Sequence, residues 1–236
     1  MAVIHHTRLV PTKLELLASW LPSRPWYDDS AGGPELANAG GFRLDDPQGE
    51  VGIEFIVVTN ASGPLPAAYL VPLTYRGAPL DGAGHALVGT MEHGVLGSRW
   101  VYDGCHDPVL LGQLPALIEG RAPAQDQNTT GVPARDVICA YAGEGPLPMD
   151  FATAATDTRE STELPTLNGM LLRLHRVLRP ASEDSSLSLR GESPQGESLQ
   201  GESPQGTTGH IAGSWQMPDG SRAAGLFATL HTGPRS

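Results

Sequence analysis

The first hydrophobic pattern of the chain is helical. Within residues 12–21, apolar side chains recur at intervals of three and four positions, which places them on one face of a helix. Pro11 suits the start of such a helix, and Pro22 is typical of its end. The apolar positions on this face are Leu14, Leu17, Ala18 and Leu21. We therefore predict an amphipathic helix over residues 12–21.

The segments that follow have the composition of β-strands. Residues 51–59 (VGIEFIVVT) and 68–75 (AYLVPLTY) are rich in β-branched and aromatic residues, and residues 46–49 (DPQG) have the composition of a turn. Because proline cannot donate a ladder hydrogen bond, Pro72 predicts an edge position or a bulge in its strand. Further short elements are predicted as strands over residues 42–45 and 99–103 and as a helix over residues 86–93.

A second helix is predicted near the middle of the chain. Asp107 is a favourable N-cap, Pro108 a favourable first residue, and Gly120 a favourable residue just past the end. Pro115 interrupts the pattern and predicts a kink or an early end. We expect this helix over residues 107–119.

The second half of the chain predicts strands on either side of a low-complexity segment. Residues 136–141 and 169–178 alternate as strands do, with a long exposed loop between them. Residues 209–217 and 221–230 flank a Pro-Asp-Gly turn, which predicts a β-hairpin that pairs with residues 170–178. Residues 181–208 contain GESPQ, GESLQ and GESPQ in tandem. Such polar residues bury too little apolar surface to offset the entropy of ordering, so we predict a disordered loop there.

These elements together predict an α+β fold. A helix packs on a curved antiparallel sheet, and a second small part with a helix and a β-meander follows. The corresponding divisions are residues 1–103 for the first domain, 104–180 for the helix and strands that continue the fold, 181–208 for the repeat loop and 209–236 for the C-terminal hairpin.

The charge balance of the chain is acidic, with 26 acidic and 15 basic side chains and a formal charge of −11. Nucleic acids and anionic membranes bind basic surfaces, so this balance argues against both as partners. No apolar run approaches the roughly 20 residues that span a bilayer, and the first residues lack the pattern of a signal peptide. We expect a cytoplasmic protein with reduced cysteines at positions 105 and 139. The sequence leaves the oligomeric state open.

One group of polar residues has side chains suited to acid–base or metal chemistry. Its members are Glu92, His93, Asp103, His106 and Asp107, with His85 nearby in the sequence. Their spacing matches no metal motif such as HExxH, and the chain has no GxSxG nucleophile elbow. The competing interpretation is that His106 and Asp107 cap or brace the second helix. We therefore assign no catalytic residue, metal or cofactor.

A second group is aromatic and could stack on sugars or form an interaction surface. It consists of Trp20, Trp26, Tyr27, Tyr75, Trp100 and Tyr102, with Arg76 beside them in the sequence. Core packing of a small sheet domain accounts for the same residues, and we favour that interpretation.

Several sequence motifs resemble those of the N-terminal cap domain of bacterial maltokinases. They are LELLASWLP and RPWY in residues 14–27, YLVPLTYRG in residues 69–77, GTMEH and VLG in residues 89–97, WVYD in residues 100–103, and HDP in residues 106–108. The resemblance covers roughly residues 1–120. It implies a cystatin-like fold for residues 1–103, with a helix beside a curved antiparallel sheet. In that family the cap precedes a kinase that phosphorylates maltose with ATP, which feeds glycogen and trehalose metabolism.

The chain departs from that family where the kinase chemistry would lie. A kinase of this type needs a catalytic Asp near an Asn and a further Asp for Mg²⁺, in a lobe that this sequence lacks. It has no GxxxxGK[ST] loop, and Lys13 is its single lysine. We therefore expect a non-catalytic binding or regulatory module whose partner is a kinase-like or glycan-processing enzyme. The alternatives are a module that binds a sugar or nucleotide directly, and an enzyme of another type that uses His93 and His106.

Overall fold

The computed structural model describes residues 7–28, 33–143, 145–147, 150–151, 155–181 and 207–232. Within these residues the chain forms two α-helices and two antiparallel β-sheets. The helices are α1 (Lys13–Trp20) and α2 (Pro108–Ile118). The strands are β1 (Leu9–Val10), β2 (Leu36–Leu44), β3 (Gly52–Asn60), β4 (Ala67–Arg76), β5 (Leu87–His93), β6 (Gly97–Asp103), β7 (Ile138–Tyr141), β8 (Thr156–Asp157), β9 (Ser161–Pro165), β10 (Leu171–His175), β11 (Val177–Leu178), β12 (Gly209–Gln216) and β13 (Arg222–His231).

The two sheets are built from different parts of the chain. The first sheet has the order β1-β5-β6-β4-β3-β2, and β11 returns from the second half of the sequence to pair with β4. The second sheet has the order β7-β12-β13-β10-β9-β8. The broad α+β prediction is confirmed, although strands predominate over helices. The predicted C-terminal hairpin is confirmed as β12 and β13, and β13 pairs with β10 as expected.

The first sheet is covered on both faces, which explains why β3 and β4 are almost continuously apolar. Alternate residues of a strand point to opposite faces. Ile56 and Val58 therefore pack in one core with α1, whereas Phe55 and Val57 pack in a second core with the other sheet and α2. The result is three layers in the order α1, first sheet, second sheet.

Local signals in the sequence set both helices. Thr12 caps α1, and Glu15 completes a reciprocal capping box with it. Asp107 caps α2 by accepting a hydrogen bond from the Val109 backbone N–H at 2.9 Å. Gly120 follows α2 with φ of +72°, as predicted from its position. Pro115 does not end α2 early, because the helix continues to Ile118.

Residues 86–93 form a strand, so the prediction of a short helix there was wrong. Gly84–Ala86 make one turn of 3-10 helix, and β5 then pairs with β6. Packing against α1 favours the strand, since a Cβ at Gly89 would lie 2.6 Å from Leu16. The predicted long loop between residues 141 and 169 was wrong in part, because β8 and β9 lie within it.

Pro72 lies in a central strand, which contradicts the predicted edge position or bulge. On one side β4 pairs with β3 throughout, and Phe55 is opposite Pro72. On the other side β11 pairs with β4 at residues 68–69 and β6 pairs with it at residues 73–76. Pro72 falls between these two partners, so its missing N–H interrupts neither ladder.

Two expectations from the sequence are not decided by these elements. Residues 182–206, which make up most of the predicted disordered loop, lie outside the described residues. The domain boundaries at residues 103, 180 and 208 stay predictions. Within the described part of the chain, no helix is long and apolar enough to cross a membrane.

A buried ion pair joins the two sheets. Arg176 lies between β10 and β11, and its Nη2 donates to both carboxylate oxygens of Asp103 at 2.8 and 2.6 Å. Its Nε donates to Thr162 at 2.6 Å, and its guanidinium lies 5.1 Å from the ring centroid of Trp26. Both partners of the pair are almost fully buried. Removal of one partner therefore leaves a buried charge without compensation.

Replacing Arg176 by leucine is expected to lower the free energy of unfolding by about 3–5 kcal/mol, because Asp103 then stays buried without its cation. Urea unfolding followed by tryptophan fluorescence measures the change. The matched control is Arg173→Leu, which breaks an ion pair with Glu163 whose side chains are 39% and 31% exposed. That control should cost less than about 1 kcal/mol. Equal losses in the two variants would contradict the structural role of Arg176.

His175 predicts a pH-dependent stability. Burial lowers its pKa to about 4, and the charges of Arg173 and His231 act in the same direction while Glu160 opposes them. Between about pH 6.5 and pH 4 the unfolded chain binds a proton here that the folded chain does not bind. Folding therefore loses stability as the pH falls through this window. We expect a loss of roughly 1–2 kcal/mol at pH 5 relative to pH 7.5 that His175→Gln does not show. The same pH dependence in both proteins would exclude this assignment.

Candidate functional site

A cleft of about 410 Å³ opens on the α1 side of the first sheet. The helix α1 begins at Lys13 and covers only part of this face. Beyond its N-terminal end, the ends of β2, β3 and β4 and the hairpin of β5 and β6 remain open to the cleft. The side chains that carry its chemistry are Lys13, Arg43, Glu54, Tyr75, Arg99 and Gln127.

Glu54 lies at the centre of the cleft and binds three side chains. Lys13 Nζ donates to both carboxylate oxygens at 2.8 and 2.6 Å. Tyr75 Oη donates at 2.6 Å, and Gln127 Nε2 donates at 3.1 Å. The carboxylate is buried, with a side-chain exposure of 5%. These contacts connect α1, β3, β4 and the loop after α2 through a single anionic side chain.

The position of Glu54 follows from the alternation of β3. Glu54, Ile56 and Val58 share one face of the strand, and α1 covers the two apolar members. Glu54 lies one step beyond the start of the helix, so the floor of the cleft is polar there. Arg43 is directly opposite Glu54 on β2 and faces the same side.

Tyr75 is held as a hydrogen-bond donor. Burial raises its pKa well above its usual value, and the neighbouring negative charge of Glu54 raises it further. The phenol therefore keeps its proton at neutral pH and donates it to Glu54. The Lys13 ammonium lies 5.6 Å from the centroid of the Tyr75 ring.

Asp46 forms the turn at one wall of the cleft, between β2 and β3. Its oxygens accept hydrogen bonds from the backbone N–H groups of Gln48, Glu50 and Val51 at 2.9–3.0 Å. Burial acts to raise the pKa of Asp46, but these bonds and the charge of Arg76 outweigh it and lower the pKa. The carboxylate of Asp46 thus stabilises its own turn.

The polar group noted in the sequence is divided between the two ends of β6. Glu92 and His93 lie at the hairpin end, where His93 is opposite Gly97 and lines the cleft. Asp103, His106 and Asp107 lie at the other end. Seven residues of strand separate these ends by about 20 Å. His93 and His106 therefore do not share one cleft.

The members at the far end of β6 have structural contacts. Arg76 binds both oxygens of Asp107 at 2.7 and 2.6 Å, and Thr74 donates to it at 2.7 Å. Burial acts to raise the pKa of Asp107, but these donors outweigh it and lower the pKa. His106 Nδ1 lies 3.2 Å from His85 Nε2, and burial lowers the pKa of His106. Within the described residues no three His, Cys, Asp or Glu side chains group as a metal site.

The aromatic group also has separate locations. Trp20, Trp26 and Tyr27 are buried around Tyr69, with neighbouring ring centroids 5.4–5.9 Å apart. Trp100 packs with the buried Tyr102 in a small satellite core, and Arg76 is paired with Asp107. Tyr75 lines the cleft. One of the proposed stacking residues thus lies at the candidate site.

Of the six side chains that carry the chemistry of the cleft, five were not identified from the sequence as site residues, and Lys13 among them was noted only as the single lysine. Glu54 could have been noticed, since it is the single charge in the apolar run VGIEFIVVT. Arg43, Arg99 and Gln127 have no comparable signal, because only strand pairing and the loop after α2 bring them to Glu54. Gln127 also lines a second, more polar hollow of about 390 Å³ beside β2 and β12.

Residues 20–107 match the maltokinase N-terminal cap domain. No curated protein matches the chain. The chain therefore contains a maltokinase cap domain, which confirms the resemblance drawn from the sequence. The match includes Arg43, Glu54, Tyr75 and Arg99, whereas Lys13 and Gln127 lie outside it.

Glu54→Ala is expected to lower the free energy of unfolding by about 2–3 kcal/mol, because it removes the hydrogen bonds that three side chains donate to a buried charge and leaves these donors unpaired. Urea unfolding measures the change. Glu50→Ala is the matched control at the exposed turn of the same cleft and should change stability by less than about 0.5 kcal/mol. If Glu54→Ala is as stable as the control, Glu54 does not organise the cleft.

Proposed function

We propose that this chain is a non-catalytic module that binds a sugar or a nucleotide in the cleft around Glu54. The observation that carries the proposal is the convergence of Glu54, Tyr75 and Gln127 on one concave site. Its volume of about 410 Å³ lies within the 300–1,000 Å³ range of small-molecule sites. Most of its polar groups stand on strands of one sheet, and such rigid supports position ligands well.

The walls of the cleft suit a ligand with several hydroxyl groups. Gln127 both donates and accepts hydrogen bonds, and the Tyr75 ring offers an apolar surface. Leu9, Met91 and Leu96 add further apolar lining. A sugar or ribose presents the matching alternation of hydroxyl groups and C–H faces.

Two further observations support the non-catalytic part of the proposal. His93 and His106, the acid–base candidates, lie at opposite ends of β6, so they do not act on one substrate. Lys13, the single lysine, is paired with Glu54. The match to a maltokinase cap domain supports a link to the metabolism of maltose, trehalose and glycogen, and the helix α1 on the first sheet agrees with a cystatin-like arrangement.

A second candidate is a module that acts through a protein partner, such as a kinase-like or glycan-processing enzyme. It is favoured by Val95 and Leu96, which are 60% and 47% exposed in the turn between β5 and β6. Leu96 also lines the cleft, and Val95 precedes it in the same exposed turn, where a partner could cover both. The matched domain is a cap of a kinase, which is the second reason to consider this function.

Isothermal titration with maltose, trehalose, glucose and ATP tests the proposal. At least one of them should bind, and Gln127→Ala should weaken it about tenfold, since a hydrogen-bonding side chain is lost from the site. Gln113→Ala, on α2 and away from the cleft, is the matched control and should bind as the unaltered protein does. Absence of binding by all four compounds would contradict the proposal and favour the protein partner.

A further inference from the structure

Two arginine side chains in the cleft form no ion pair with any described residue. Arg43 and Arg99 are each partly buried and line the cavity. Among the described residues, neither guanidinium forms an ion pair or a hydrogen bond with another side chain. Most other cations here are paired, as Arg76 is with Asp107 and Arg176 is with Asp103. In a chain with 26 acidic residues, two unpaired arginines in one cleft indicate a site for an anion.

The nearest carboxylates do not neutralise these arginines. Glu54 is directly opposite Arg43, but its oxygens are bound by Lys13, Tyr75 and Gln127. Asp46 is occupied by the backbone of its own turn. Glu50 lies on the exposed rim, where solvent screens its charge. The positive charge of Arg43 and Arg99 is thus available to a ligand.

The strands direct both arginines to the same face of the sheet. Arg43 on β2 shares the face of Glu54 by its register, and Arg99 on β6 is opposite Met91, which packs on the α1 side. The guanidinium of Arg99 extends over Gly77, where a Cβ would lie 2.6 Å from its Nη1. The planar donor fork of arginine matches the oxygens of a phosphoryl group.

We infer that the ligand of the cleft carries a phosphoryl group, whose negative charge Arg43 and Arg99 bind while Gln127 contacts its hydroxyl groups. This inference rests on the proposed function and names the class of its ligand. Both a phosphorylated sugar and a nucleotide present this chemistry, and matched pairs of probes distinguish them.

Isothermal titration compares glucose with glucose 6-phosphate and adenosine with ADP, because the members of each pair share the same uncharged part. In at least one pair the phosphorylated member should bind ten times more tightly or better, as expected for added charge-assisted hydrogen bonds. The pair in which the phosphorylated member binds more tightly shows whether the ligand is a phosphorylated sugar or a nucleotide. If the uncharged member binds as tightly, the inference fails and the proposed function stands. If neither pair binds, both the inference and the proposed function fail.

Arg43→Gln and Arg99→Gln test the two residues directly. Each should weaken the phosphorylated probe at least tenfold, and should weaken it by a larger factor than the uncharged probe. Arg135→Gln removes an exposed arginine outside the cleft and should change neither. Thermal unfolding of all three variants verifies that they are folded. A phosphorylated probe that binds both cleft variants with unchanged affinity would overturn the assignment to Arg43 and Arg99.

Discussion

The buried ion pair of Arg176 and Asp103 is the interaction on which the joining of the two sheets depends. Arg176 lies where the chain leaves β10 and returns to the first sheet as β11, and Asp103 ends β6. The same guanidinium contacts Thr162 and Trp26, so one side chain fixes the second sheet, the first sheet and the segment after α1. A buried pair contributes little net stability compared with apolar packing, because desolvation offsets its attraction. Its value lies in fixing position, since a misplaced arginine here would be a buried charge without a partner.

The charged pairs at the far end of β6 lie outside the cleft, because none of their side chains lines it. At the far end, Asp103 and Asp107 are buried and paired with arginines, and they hold α2 and the second sheet. On the α1 side of the sheet, the helix starts too late to cover Glu54, and the second sheet packs on the opposite face. The uncovered part of the α1 side is therefore rigid, because the second sheet packs against the other face of the same strands. A rigid polar surface of this kind suits ligand binding better than a loop would.

The sequence predicts those elements whose signals are local. Thr12, Asp107 and the β-branched runs of β3 and β4 act within a few residues, and both helices and the central strands lie where expected. The predictions that failed concern elements with non-local causes. The segment of β5 was predicted as a helix, but it forms a strand because it pairs with β6 and contacts α1 at Gly89, and both contacts depend on tertiary packing. The prediction of the site residues has the same limit, because it also depends on non-local contacts. Arg43, Glu54, Arg99 and Gln127 are separated by up to 84 residues in sequence. Strand register places Arg43 opposite Glu54, whereas Arg99 and Gln127 reach the same cleft only through the tertiary fold.

Because the net charge of the chain is −11, the binding of an anionic ligand depends on the charges inside the cleft. An anionic ligand is repelled by the protein as a whole at long range, so electrostatic steering does not accelerate its approach. Its attraction comes from unpaired guanidinium groups at contact distance, inside a concave site where solvent screens them less than at the surface. Added salt would weaken both the distant repulsion and the local attraction, and the two effects oppose each other. A salt titration is therefore a poor measure of this site. Comparison of ligands that differ by one phosphoryl group isolates the local attraction, because the charge of the protein is the same in both measurements.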